Sequence, residues 1–168
     1  MGQILKKFLL PLAICALFIF NSCISECLDN QNSIPLAGFY SKETNKSISI
    51  DSISVYGVGA PEDSMILRNK KGVTQVYLPM RINMGNVQYV FHYDQKAVSD
   101  PANNDTLTMK YDAIPFFESS ECGAMYRYQI KEFSYTKNVL DSIVFTDSLI
   151  TNTDKERIKI YFKTTTTE

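Results

Sequence analysis

The chain has 168 residues, of which 45% are hydrophobic, 12% aromatic and 21% charged; this is enough for one domain and too little for a multidomain enzyme. The formal net charge is −1 and becomes −3 once Lys6 and Lys7 leave with the N-terminal segment described next, because 15 basic residues then face 18 acidic ones. This balance argues against a nucleic-acid-binding protein, since such proteins carry a basic patch or stripe.

The first 22 residues have the three parts of a secretory signal peptide. Lys6 and Lys7 supply the positive start, and an uncharged, largely apolar run of thirteen residues follows over Phe8–Phe20. A membrane-spanning helix needs roughly 20 apolar residues, whereas a shorter run is typical of a signal-peptide core. We therefore predict that residues 1–22 are removed and do not form a transmembrane anchor.

The residue after the predicted cleavage point is a cysteine. Small Ser22 directly precedes Cys23, as in the lipobox of bacterial lipoproteins, where a diacylglycerol is attached to the cysteine thiol. Two or more acyl chains hold a protein stably at a membrane. We predict an outer-membrane lipoprotein anchored at Cys23, with a stalk over residues 23–35, a β-sandwich domain over 36–163 and a polar tail over 164–168. Plain secretion, with Cys23 as an ordinary thiol, is the alternative.

Two thiols remain for the mature chain. Cys15 leaves with the signal and Cys23 takes lipid, which leaves Cys27 and Cys122. Two thiols in an oxidising envelope predict one disulfide. It closes a loop of about 95 residues, for which the chain-entropy account gives at most about 4.7 kcal/mol. A redox or nucleophilic thiol is the alternative, but the sequence has no CxxC motif to favour it.

From Ser47 onward the apolar residues alternate with period two, as in strands with one packed and one wet face. The clearest strands are Asn86–Asp94, with Val87, Tyr89, Phe91 and Tyr93 on one face, and Glu156–Lys163, with Ile158, Ile160 and Phe162 on one face. Further strands are predicted at Leu36–Tyr40, Ser47–Val58, Ser64–Asn69, Val73–Met80, Thr106–Ala113, Met125–Thr136 and Asp141–Ile150. No helix is predicted.

Turn residues separate these strands. Asn69–Gly72 and Asn83–Asn86 are predicted to close hairpins in which glycine supplies a positive φ. The apolar phase slips between Ile130 and Phe133, which predicts a β-bulge near Lys131–Glu132. Strands at intervals of roughly eight to twelve residues predict an all-β fold, an antiparallel sandwich or partly open barrel of about seven to nine strands.

A short Asp-Ser-apolar motif recurs four times, at Asp51–Ile53, Asp63–Met65, Asp141–Ile143 and Asp147–Leu149. Asp and Ser side chains bond their own backbone in turns, so we interpret the copies as turn markers. A calcium site is the alternative, although no copy has the ligand spacing of a calcium-binding loop.

His92 is the single histidine and lies on the face opposite its aromatic neighbours, which predicts a surface position. The sequence has no GxSxG elbow, zinc-ligand set or glycine-rich phosphate loop around which a catalytic site is usually built. We therefore expect neither an enzyme nor a bound metal or cofactor. A small hydrolase that uses two carboxylates is the remaining catalytic alternative, and no acidic spacing favours it.

The chain has ten tyrosines, ten phenylalanines and no tryptophan. A glycan or peptide ligand is one interpretation of this content, with candidate ligand-facing aromatics at Tyr89, Phe91, Tyr93, Tyr126 and Tyr128. Strand aromatics of small sandwiches more often form the core and cross-strand pairs, which is the interpretation we prefer.

Several short motifs carry a family resemblance. They are the lipobox at Cys23 with Cys27 shortly after it, Glu118–Cys122, Leu140–Val144 and the closing Ile158–Phe162. In these the chain resembles the small lipoproteins of Bacteroidota-type bacteria that are grouped as a domain of unknown function. The resemblance implies an envelope lipoprotein with a β-rich domain and carries no established activity.

We expect a non-enzymatic envelope lipoprotein that is tethered to the membrane by its N-terminal lipid and binds another envelope component, a protein or a glycan. A carbohydrate- or peptide-binding module that assists a transport system is the alternative. Aromatic rings exposed in a row on one sheet would favour that alternative.

Overall fold

The structure is a computed structural model that describes residues 33–61, 65–117 and 123–163. These residues form ten strands: β1 (Leu36–Ser41), β2 (Ile53–Gly57), β3 (Met65–Lys70), β4 (Gln75–Tyr77), β5 (Asn86–Tyr93), β6 (Asp105–Phe117), β7 (Ala124–Tyr135), β8 (Leu140–Phe145), β9 (Leu149–Ile150) and β10 (Glu156–Phe162). One turn of 3₁₀ helix covers Pro101–Asn103. In the described part of the chain, no helix has the length and apolar character needed to cross a bilayer.

The strands form two sheets. One has four strands in the order β4-β1-β10-β8, and the other has six in the order β3-β2-β5-β6-β7-β9. The predicted all-β sandwich is confirmed, with ten strands instead of the seven to nine expected. Its strands pair antiparallel except for β1 and β10, which run parallel. Because of this pairing, the first and last strands of the domain lie side by side in the middle of the smaller sheet.

The apolar stripe of β5 faces the core between the sheets. Val87, Tyr89, Phe91 and Tyr93 are 6%, 1%, 0% and 2% exposed, whereas the neighbouring His92 is only half-buried. Burying one such side chain contributes about 1.5–3 kcal/mol. The period-two pattern therefore identifies the buried face of this strand correctly.

Two predicted hairpins are wrong. Asn69–Gly72 leads from β3 in the larger sheet to β4 in the smaller one, and Asn83–Asn86 leads back from β4 to β5. The glycines do have the expected positive φ, 68° at Gly72 and 62° at Gly85. Turn chemistry thus identifies where the chain turns but not which sheet it enters next, since that depends on distant partners.

Two of the predicted long strands are also divided. Asp141–Ile150 forms β8 and β9, which belong to different sheets. In Ser47–Val58 only Ile53–Gly57 is a continuous strand, and Ser47 and Ile50 make isolated bridges.

The predicted β-bulge is confirmed. Lys110 of β6 pairs with Glu132 of β7, but the next residue, Tyr111, pairs with Ile130, so Lys131 is the extra residue. Because of this insertion, Ile130 and Phe133 both point to the same side of the sheet despite their odd spacing.

Asp105 connects the two sheets where the chain crosses from β7 to β8. Its carboxylate is fully buried and accepts five hydrogen bonds. The hydroxyls of Tyr93 and Thr136 donate at 3.0 and 2.9 Å, and the backbone N–H groups of residues 138–140 donate at 2.7, 2.8 and 2.8 Å. An ionised carboxylate only accepts, so five donors suit it.

Candidate functional site

The aromatic residues selected from the sequence as ligand-facing candidates do not form a binding row. Tyr89, Phe91, Tyr93 and Tyr128 are at most 6% exposed, and Tyr126 is half-buried against the core. The ligand-facing alternative is therefore wrong for the four buried rings. They belong to the core because each lies on the side of its strand that faces the opposite sheet.

A different set of tyrosines lies on the outer surface of the four-stranded sheet. Tyr40 of β1, Tyr77 of β4 and Tyr161 of β10 make up this surface, which we call the tyrosine face. Tyr77 is 38% exposed, and the other two rings are partly exposed. Strand alternation produces the face, because the neighbours Phe39, Val76, Ile160 and Phe162 point inward and are at most 3% exposed.

The parallel pairing of β1 and β10 sets two of these rings against each other. Tyr40 is the register partner of Tyr161, and their ring centroids are 5.6 Å apart with an interplanar angle of 39°. Directly opposed side chains on one sheet face interact in this way. The two rings together form a broad aromatic surface.

Lysine ammonium groups lie next to both rings. The Nζ of Lys159 is 5.0 Å from the centroid of Tyr40, and the Nζ of Lys42 is 5.8 Å from that of Tyr161. Both distances are within the range of a cation–π interaction. Lys42 also pairs with Asp141 at 3.3 Å. Hydrogen bonding from Ser142, followed by Lys42 and its charge, lowers the pKa of Asp141.

Two carboxylates accept hydrogen bonds from the tyrosine hydroxyls. Tyr40 donates to Glu156, with both carboxylate oxygens at 2.9 Å, and Tyr77 donates to Asp154 at 2.8 Å. Burial and the bond to Glu156 raise the pKa of Tyr40. The bond to Asp154, with burial second, raises the pKa of Tyr77. Both hydroxyls therefore stay protonated and oriented at neutral pH.

Gly38 makes room for Glu156 on this face. A Cβ added to Gly38 would lie 1.9 Å from the Oε2 atom of Glu156 and 3.0 Å from the Tyr40 ring. Any larger residue would displace the glutamate from the Tyr40 hydroxyl. The tyrosine face thus combines aromatic rings, two acidic groups and two lysines on one sheet surface.

His92 has serine and aspartate neighbours but not the arrangement of a catalytic triad. Its Nδ1 is 2.8 Å from Oδ1 of Asn104, and its Nε2 is 3.6 Å from Asp94. Ser54 donates to Asp94 at 2.7 Å, so its hydroxyl proton points to the carboxylate and not to the imidazole. A nucleophilic serine needs the base itself within hydrogen-bond reach.

The three copies of the Asp-Ser motif that the structure describes share no common site. Asp51 accepts from the backbone N–H of Gly72 at 2.7 Å, and Asp147 accepts from that of Leu149 at 2.9 Å, which is a local turn. Asp141 instead pairs with Lys42, and Asp63 lies outside the described residues. In the described ranges, no group of three or more His, Cys, Asp or Glu side chains is placed to hold a metal.

All four cysteines fall outside the residues that the structure describes. The predicted lipidation of Cys23 and the predicted Cys27–Cys122 disulfide therefore stay predictions. The same is true of the signal peptide, most of the stalk and the polar tail.

The sequence of β10 contains a signal for the tyrosine face. Once Ile158, Ile160 and Phe162 are assigned to the core, Tyr161 must point outward. What the sequence could not provide was the pairing of β1 with β4 on one side and with β10, about 120 residues later, on the other.

Comparison with known proteins gives one match. No curated protein and no solved structure matches the chain. The model of a family of unknown function, DUF6452, matches residues 52–162. This range covers β2 to β10 and more than half of the chain. The chain therefore belongs to the DUF6452 family of unknown function.

Proposed function

We propose that this chain is a lipoprotein of the bacterial outer membrane, anchored at Cys23, whose β-sandwich binds an envelope glycan through the tyrosine face and catalyses no reaction. The signal and lipobox in the sequence support the anchor. The rings and charged groups of the tyrosine face support the binding role. The Cys27–Cys122 disulfide would fasten the stalk to the domain.

The observation that carries the binding role is the presence of Tyr40, Tyr77 and Tyr161, each at least partly exposed, on the outer surface of one sheet. The C–H face of a sugar ring packs on an aromatic ring, and its hydroxyls need hydrogen-bond partners close by. Glu156 and Asp154 offer acceptors, and Lys159 offers donors. A flat mixture of rings and charged side chains fits a glycan better than it fits an apolar peptide.

The predicted tether can bring this face to the envelope polymers. Cys23 precedes Leu36, the first residue of β1, by 13 positions, and such a segment spans at most about 45 Å when fully extended. The domain would therefore stay near the membrane surface while its sheet remained accessible.

The anchor is tested by mass spectrometry of the mature protein purified from its host. We expect the N-terminal residue to be Cys23 with a diacylglycerol and no residues before it. A Cys23→Ser variant should stay unprocessed and lack the lipid. An unmodified Cys23 in the wild type would contradict the anchor. Peptide mapping without reductant tests the Cys27–Cys122 disulfide, and a free Cys27 thiol would contradict it.

The binding role is tested with glycans from the host envelope, using the full chain on a glycan array. Tyr77→Ala and Tyr161→Ala should each weaken binding about tenfold, because one aromatic contact is worth roughly 0.5–1.5 kcal/mol beyond its buried area. Tyr56→Ala is the matched control, since Tyr56 is a half-buried tyrosine of β2 in the other sheet.

Equal glycan binding by the Tyr77→Ala, Tyr161→Ala and Tyr56→Ala variants would contradict the role of the tyrosine face in binding. Capture of a protein through the same tyrosines, without any glycan, would keep the face as a binding surface and contradict the glycan assignment. Tyrosine is also common at the centre of protein interfaces, so this outcome is a real alternative.

A further inference from the structure

Exposed apolar side chains collect at one end of the sandwich, the end where β1 begins, which we call the N-terminal end. Six large apolar residues lie there with 41% to 70% of their surface exposed: Val58, Met65, Ile82, Met84, Ile114 and Phe117. Strand pairing places them together, because the end of β2, the start of β3, the start of β5 and the end of β6 all point the same way.

Arg81 lies in the middle of this apolar group. Its guanidinium donates to the backbone carbonyl of Val58 at 3.2 Å and contacts the sulfur of Met84 at 3.2 Å. Among the described residues, no carboxylate pairs with Arg81. Its charge thus lies beside Val58 and Met84 without an acidic partner in the described ranges.

The loop that carries Arg81 is held in place by two tyrosines of the larger sheet. Tyr89 donates its hydroxyl to the carbonyl of Pro79. Tyr111 donates to the carbonyl of Arg81 at 2.6 Å and accepts from the backbone N–H of Arg81 at 3.1 Å. The exposure of Ile82 and Met84 is therefore a property of an anchored loop.

The start of the chain's described part reaches the same place. Ser33 and Ile34 line a cleft of about 250 Å³ together with Pro79, Met80 and Ile82, and Leu78 donates its backbone N–H to Pro35 at 3.0 Å. The segment that leads back to Cys23 thus leaves the domain beside the apolar group.

The opposite end of the sandwich has a different character. Its loops, over residues 41–47, 94–104 and 136–139, contain the exposed Lys42, Lys46 and Lys137. None of the exposed large apolar residues falls in these loops. The end from which the predicted tether leaves also contains the polar loop 151–155, with exposed Asp154 and Lys155, but six of the exposed large apolar residues lie there.

We propose that the N-terminal end rests on the lipid bilayer, with Val58, Ile82 and Met84 entering the boundary between headgroups and acyl chains. Shallow insertion of exposed apolar side chains, to about 5–10 Å, is typical of proteins that lie on a membrane. Arg81 fits the phosphate layer, because a guanidinium is weakly hydrated and matches phosphate with paired donors. The proposal rests on the anchor at Cys23, which keeps this end close to the bilayer.

Contact between the N-terminal end and the bilayer, which we call the seating, would also orient the tyrosine face. β1 starts at the membrane end, so its outer surface rises away from the bilayer with Tyr40 farther out than Leu36. Tyr40 and Tyr161 would then be presented to polymers beside the membrane, whereas Tyr77, the register partner of Leu36, would lie nearest the bilayer.

The chain contains no tryptophan, so a single introduced tryptophan reports on its own surroundings. Ile82→Trp and Met84→Trp place the reporter at the N-terminal end, and Lys46→Trp and Val144→Trp are exposed controls on the opposite end and on a sheet face. Each full-length protein is extracted in detergent and reconstituted into vesicles of phosphatidylethanolamine and brominated phosphatidylcholine. The lipids carry no net charge because anionic lipids would repel the acidic residues at 62, 63, 118 and 121.

We expect bromine quenching and a blue-shifted emission for the Ile82→Trp and Met84→Trp proteins and neither change for the two controls. All four substituted positions are exposed, and thermal unfolding checks that each variant folds. Equal emission at all four positions in protein that carries the lipid would contradict the seating while leaving the anchor intact.

The same reporters in a chain that starts at Ile24, without the signal segment and without Cys23, separate this proposal from the anchor. Without lipid, we expect binding to added vesicles that an Ile82→Asp, Met84→Asp pair weakens about tenfold or more. If Cys23 proves to be unmodified and the reporters are still quenched, the anchor is wrong and the seating stands. If the unlipidated chain binds vesicles equally with and without the aspartates, the apolar group is not the contact.

Discussion

Replacing Asp105 with asparagine should destabilise the domain more than any comparable surface change. The substitution keeps the size of the side chain but replaces one acceptor oxygen with an NH₂ group, which can only donate. In the better of its two orientations, the donors Thr136 and the N–H of Asn138 lose their acceptor. Hydrogen bonds to a charged group are worth about 1.5–3 kcal/mol each, so we expect the loss of two to cost roughly 3–6 kcal/mol.

Urea unfolding followed by far-ultraviolet circular dichroism measures this loss. The midpoint should fall strongly and the slope should stay unchanged, since the folded area is the same. Asp112→Asn is the matched control, because Asp112 is 61% exposed in its 2.9 Å pair with Lys131, and such pairs contribute at most about 1 kcal/mol. If the Asp105 variant lost no more stability than this control, the reasoning about the buried carboxylate would be refuted.

Three further results are expected. Burial raises the pKa of Tyr89, whereas the unfolded chain ionises near pH 10; the unfolded state then holds fewer protons, so the urea midpoint should fall as pH rises above about 10, and a constant midpoint would contradict this. Gly38→Ala should push Glu156 off Tyr40 and lower the Tyr40 pKa in an NMR titration, and an unchanged pKa would show that the glutamate adapts. Deleting Lys131, the extra residue, leaves Tyr111 paired with Ile130 and Lys110 with Glu132, so the shortened strand alternates regularly and should still unfold cooperatively in calorimetry; loss of cooperative unfolding would contradict the assignment of Lys131 as the bulge residue.

The buried faces of the strands could be predicted because their pattern is local. Alternation along β5 identifies the core residues Tyr89 and Phe91, and the phase slip around Lys131 identifies the bulge. In both cases the side chains of neighbouring residues alternate between two faces, so a few consecutive positions contain the information.

Sheet membership could not be predicted in the same way. The Asn69–Gly72 turn has good hairpin chemistry, yet β3 and β4 belong to different sheets. The reason is that β4 pairs with β1 and β1 with β10, at the far end of the chain. Local turn residues contain no information on such distant partners.

The functional surfaces depend on the same distant pairings. Tyr40, Tyr77 and Tyr161 come together only because β4, β1 and β10 are neighbours. The role of Asp105 was equally hidden, since its five donors come from Tyr93 and from residues 136–140. A single acidic residue at the start of a strand looks in the sequence like any other turn marker.

NMR of tyrosine rings during addition of the host's envelope polysaccharide tests the central claim most directly. With ring-labelled tyrosine in the full chain, all ten tyrosines are observed together. We predict shifts confined to Tyr40, Tyr77 and Tyr161, with the buried Tyr89 and Tyr93 unchanged. No shift at those three rings, or shifts centred on Tyr126 or Tyr135, would contradict the tyrosine face as the binding site.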